Sequence, residues 1–191
     1  MSLVCFDNNV LIWGIKEQAE LGQEEMIPRA KALINDLVKS KTEVIIPSLV
    51  IAEFLMRIHP KEHTTTINLF ELRFALQPFD TAAASKFAEI WQTRKSEGII
   101  KALIESGKTK TEMRVDNLIV AIAVAQKAEC IYSHDDDLKA FARGFIEVRD
   151  IPPVPSTPFV PKQINAFPAE STNQDWGKSP KMNEPTVPPD F

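Results

Sequence analysis

The stretch RVDNLIVAIAVAQKAECIYSHDDDL, residues 114–138, decides how the fold is read. From Arg114 to Lys127 apolar residues fall on nearly every side of a 3.6-residue repeat, which predicts a helix buried around most of its circumference. Cys130 to Ser133 (CIYS) is short and apolar and reads as a buried strand, Leu138 to Arg143 as a short helix, and Phe145 to Val148 as a last strand. Strands that alternate with helices pair in parallel, and helices cover such sheets on both faces.

The alternation extends toward the N-terminus. Leu3 to Phe6 (LVCF) and Glu43 to Ile46 (EVII), the latter ended by Pro47, are strand-like, while Pro28 to Lys39 sets Ala32, Leu33, Leu37 and Val38 on a helical face. Ser48 is the expected N-cap of a helix that carries Val50, Ile51, Phe54, Leu55 and, in its second turn, Glu53. A helix over Lys61 to Leu72, an extended piece from Phe74 to Phe79, and a helix capped by Asp80 or Thr81 and running toward Arg94 complete the pattern. The expected class is α/β, a three-layer α/β/α sandwich around a central, mainly parallel sheet of about five short strands.

The 191 residues are 44% apolar and 25% charged, enough for one ordinary core. Ten of the fourteen prolines lie between Pro152 and Pro189, so residues 1–150 are expected to form the domain and 151–191 a Pro-rich tail. That tail has apolar anchors at Phe159, Phe167, Trp176 and Phe191, and it is expected to wrap over the body or remain flexible. No apolar run is long enough for a membrane span and no basic leader is visible, which leads to the expectation of a soluble, cytoplasmic protein. Cys5 and Cys130 sit in separate apolar segments and read as two buried thiols in adjacent strands, not as a disulfide framework or a zinc cluster. A net charge of -4 and a pI near 5.5 argue against a protein that coats nucleic acid electrostatically. Binding of nucleic acid would require local positive charge or metal ions.

In parallel sheets function gathers at the carboxyl ends of the strands. Asp7 directly follows LVCF and Asp135 follows CIYS after one residue, which places two carboxylates at the same sheet edge. Asp116 is expected in the first turn of the buried helix, and Glu53 lies among apolar neighbours with no adjacent basic residue. Carboxylates in such surroundings must be neutral, paired or facing a cation. Carboxylates without a set of His or Cys suit Mg²⁺ or Mn²⁺. His59, His63 and His134 make no ligand set, because Pro60 breaks the helical face of the first two. No glycine-rich phosphate loop and no serine in a nucleophile elbow is present.

FDNNVLIWGI (6–15), PSLVIAEFL (47–55) and residues 114–138 together resemble the PIN domain, in particular the VapC-type toxin ribonucleases. The resemblance covers roughly residues 1–150 and aligns Asp7, Glu53, Asp116 and Asp135 with that family's acids, and Asp137 with the extra acid of its closing motif. It departs at Asn8, where the family carries a hydroxyl residue, and at Ser133, which stands for a threonine. The resemblance implies an Mg²⁺- or Mn²⁺-dependent endoribonuclease, the toxin of a toxin–antitoxin pair. Its catalytic residues would be Asp7, Glu53, Asp116 and Asp135, with Asp7, Asp116 and Asp135 holding the metal and Asn9, Ser133 and Asp137 in support. RNA as substrate, an antitoxin as partner and a homodimer are implied with it; the alternative is a catalytically silent PIN scaffold that binds RNA or a protein. The segment Arg94 to Arg114, above all Lys108, Lys110 and Arg114, is the candidate for contacts to the RNA backbone.

Overall fold

The computed structural model describes residues 2–154; the expected Pro-rich tail beyond them lies outside the described residues. Five parallel strands form one sheet in the order β3-β2-β1-β4-β5, with β1 Leu3–Phe6, β2 Glu43–Pro47, β3 Ala75–Gln77, β4 Cys130–Tyr132 and β5 Glu147–Arg149. Val4, Cys5 and Phe6 are all buried, as are Val44 to Pro47, so the central strands are covered on both faces. This is the expected α/β/α sandwich. Cys5 and Cys130 are free, buried thiols on neighbouring strands, one residue out of register with each other.

Eight α-helices cover the sheet among the described residues: α1 Asn8–Gly14, α2 Met26–Lys39, α3 Ser48–Leu55, α4 His63–Glu71, α5 Thr81–Ser96, α6 Ile99–Glu105, α7 Lys110–Ala125 and α8 Asp136–Ala142. None is long and apolar enough to cross a membrane. Asp80 is the expected cap of α5, accepting from Ala83 N at 2.8 Å.

Three local readings change. α1 and α6 are not expected, because the first follows an apolar strand after one residue and the second is only seven residues long, closed in between Gly98 and Gly107. α7 begins at Lys110, four residues before Arg114, because Thr109 and Glu112 form a capping box that starts the helix early. Pro47 belongs to β2, which is parallel-paired with β3 there, and it occupies the N-cap position of α3 expected for Ser48. Just past the compositional break Ile151 is fully buried, and the carbonyls of Ile151 and Pro152 accept from the Arg29 guanidinium.

β2 and β3 lie on one side of β1, β4 and β5 on the other. A switch point therefore falls between β1 and β4, and the crevice outside their carboxyl ends is where such folds place ligands.

Candidate active site

The register pairs Phe6 with Tyr132, so the chain leaves β1 and β4 side by side, with Asp7 N donating to Tyr132 O at 3.1 Å. Ser133, fully buried, donates its Oγ proton to Asp7 Oδ2 at 2.7 Å and accepts from Asp135 N at 3.1 Å. One hydroxyl thus joins the first acid to the segment of the last. Asp135 caps α8: its Oδ1 accepts from Asp137 N at 2.8 Å and Leu138 N at 3.3 Å, which fixes the carboxylate's orientation.

Asp116 reaches this edge from α7, which packs against α3, α8, β2 and β4. It stands in the second helical turn, not the first, because the capping box extends the helix at its N-terminal end. The charge therefore lies past the free N–H groups of the helix end and gains little from them. Burial pushes its pKa up to about 6; the nearby Lys108 ammonium opposes this, and the charges of Asp135 and Asp7 add to it.

Asp7 is raised mainly by burial, against the hydrogen bond from Ser133 and the influence of the Asn8 and Asn9 backbone N–H groups, although neither makes a capping hydrogen bond to it in good geometry. Asn9 thus acts on Asp7 through its backbone, while its side chain lines a groove with Trp13 and Arg57. Glu53 is half-buried and raised by burial and then by the charges of Asp7 and Asp116, with Arg57 pulling the other way. Arg57, one helical turn further on, is the basic neighbour that the sequence reading missed; its spacing of four residues was the available signal.

Lys108 is the larger surprise. Its ammonium lies 2.5 Å from Asp137 Oδ2 and 3.1 Å from Asp116 Oδ2, with only 13% of its side chain exposed. Burial opposes its charge, yet the hydrogen bond to Asp137 and the charges of Asp116 and Asp135 hold its pKa above the ordinary lysine value. The ammonium is thus the group that faces the buried Asp116 Oδ2, which has no other donor among the described residues. Arg94, at the start of the expected RNA-facing segment, is buried instead and serves α8, whereas Lys110 and Arg114 are exposed, the latter with its guanidinium 5.8 Å from the Trp91 ring centre.

Glu53, Asp116, Asp135 and Lys108 line a cleft of about 320 Å³ that also touches Thr111, Glu112 and Val115. Among the described residues no three His, Cys, Asp or Glu side chains are gathered closely enough to close around an ion. The donors nevertheless fit a hard divalent cation: they are carboxylate oxygens, and Asp116, Asp7 and Glu53 are all raised by burial, with Asp116 and Glu53 raised further by neighbouring carboxylates.

A stability signature follows. Between the ordinary value of 3.8 and about 6, the folded chain keeps the Asp116 proton that the unfolded chain releases, so stability falls as pH rises through that window. The loss is complete above it and amounts to about 3 kcal/mol from this group. Urea unfolding in EDTA should therefore show wild type losing ground to Asp116→Asn between pH 4 and pH 7. A constant difference between the two proteins would contradict the placement of Asp116.

A helix-covered parallel sheet with carboxylates converging at its switch point defines an α/β protein with an acidic crevice. The chain belongs to the PIN domain family, whose model matches residues 4–144. Three solved structures share the fold. A chain of VapBC2 from Rickettsia felis, bound to a DNA fragment from their promoter, is 14% identical, with 78% of this chain and 98% of that one covered and a TM-score of 0.56. A chain of DNA-bound VapBC from Salmonella typhimurium is 18% identical over 78% of this chain and 98% of that one, at a TM-score of 0.54. VapBC-1 from nontypeable Haemophilus influenzae gives 14% identity, 78% and 97% coverage and a TM-score of 0.52. A comparison with the sequences of curated proteins gave no match.

Proposed function

We propose that this chain is an Mg²⁺- or Mn²⁺-dependent endoribonuclease and the toxin of a toxin–antitoxin pair. The observation that carries the reading is Asp116, a buried carboxyl pushed up to about 6 that shares its surroundings with Asp7, Glu53 and Asp135, so that even the Lys108 ammonium at 3.1 Å leaves it raised. Mutual repulsion of that kind is relieved by a cation. Asp7, Asp116 and Asp135 would hold the ion and Glu53 would complete the cluster. When bound, the ion supplies an acidified water as nucleophile and stabilises charge at the phosphodiester.

The chain's own groups do the rest. Ser133 fixes the Asp7 carboxylate, and the α8 cap fixes Asp135. Lys110 and Arg114, exposed on the first turns of α7 next to the cleft residues Thr111 and Val115, offer positive charge to the RNA backbone. This local charge answers the net charge of -4. The VapBC likeness supports an antitoxin protein as partner. Met56, Leu69 and Leu72, exposed apolar residues on α4 and at the ends of α3 and α4, are those we assign to a homodimer contact.

Incubation with a pool of structured RNAs should give cleavage in Mn²⁺ and none in EDTA. Cleavage undiminished by the chelator would overturn the metal-dependent reading. Tight Mn²⁺ binding without cleavage of any RNA would make the protein the silent scaffold.

A further inference from the structure

We propose that Lys108 occupies one cation position of the acidic cleft, so that the cluster takes a single divalent ion beside a protein-borne ammonium. The inference rests on the metal-binding reading above and specifies its stoichiometry.

Three observations carry it. The first is placement: the ammonium meets Asp116, a proposed metal ligand, at 3.1 Å and Asp137, an acid outside the catalytic four, at 2.5 Å. Asp137 gives the ammonium an anchor of its own, so Lys108 need not leave when a divalent ion engages the other acids. The second is the backbone. Gly107, at φ +98°, ends α6 in the left-handed conformation, with Gly107 N donating to Ile104 O at 3.0 Å and Lys108 N to Leu103 O at 2.9 Å. Those two bonds form a Schellman motif, and the capping box of α7 starts at the next residue, Thr109. Lys108 is thus pinned between a helix end and a helix start, unlike a surface lysine on a loose loop. The third is the spread of the carboxylates. No three ligating groups close on one point among the described residues, while the ammonium already stands between two of the acids. A fixed monovalent charge at this point screens Asp116, and with part of the negative charge already met by the protein, the remaining acids call for one further cation rather than two.

Calorimetric titration of the full-length chain with Mn²⁺, after EDTA treatment and dialysis, tests this. Wild type and Lys108→Arg should each take up one ion, and Lys108→Met should take up two. Without metal, Lys108→Met should melt several degrees below wild type, and Mn²⁺ should raise its melting temperature more than it raises that of wild type. Lys108→Arg keeps the charge and guards against a folding defect in the neutral variant. Two ions in wild type would overturn the inference while leaving the metal reading intact. So would the same stoichiometry in all three proteins with affinities within about threefold. No ion in wild type would remove the metal reading and this inference with it.

Discussion

Asp116→Asn should lower Mn²⁺-dependent RNA cleavage by roughly a thousandfold, the scale expected when a group that organises transition-state charge is removed. The same substitution should raise the melting temperature of the metal-free protein at pH 8. Asparagine matches the shape of aspartate, so α7 keeps its packing, but it removes a buried charge that the fold holds at a disadvantage, as the pKa of about 6 records. Part of the gain is offset because Lys108 loses one of its two partners and keeps only Asp137. The net stabilisation is about 1–2 kcal/mol. Single-turnover cleavage and thermal melts in EDTA read the two effects separately. Retained cleavage would remove Asp116 from the site, and a destabilised variant would mean that the carboxylate is held by partners that offset its burial.

Arg94→Met should destabilise the protein by about 3 kcal/mol, among the larger effects expected of a single substitution. Arg94 is 2% exposed on α5, and its Nε donates to Phe141 O at 2.8 Å while Nη2 donates to Arg143 O. These carbonyls belong to the end of α8, where helix acceptors have no partners within the helix. Nη1 pairs with Glu97 at 2.5 Å, and the guanidinium lies 5.0 Å from the Phe145 ring centre. Methionine keeps much of the apolar stem but leaves the buried Phe141 carbonyl and the part-buried Arg143 carbonyl without their donor. Because α8 also begins with Asp135 and Asp137, loosening its far end should weaken the site through stability and not through chemistry. Urea denaturation measures the loss; a change below about 1 kcal/mol would show that water or another donor satisfies the carbonyls equally well.

Much of this was legible along the chain. LVCF, VII and CIY are apolar on consecutive residues, as in strands covered on both faces, and they lie in β1, β2 and β4. The acids Asp7 and Asp135 follow strand ends, so the rule that function gathers at carboxyl edges located them before any geometry was known. The boundaries were less legible. The start of α7 depended on a capping box outside the apolar pattern, and α6, at seven residues, is too short to display a helical period.

The sequence by itself determined the alternation of strand and helix, the parallel sheet and the acids at its edge, because each of these is written in residues a few positions apart. Tertiary structure alone decided what neutralises those acids and what holds α8. Lys108 meets Asp137 across 29 positions and Arg94 meets Phe141 across 47, and chain-local patterns carry no information about which distant side chains folding brings together. Two basic residues from one segment, both candidates for RNA on sequence grounds, were thereby assigned inward, one to a helix end and one to the acidic cleft.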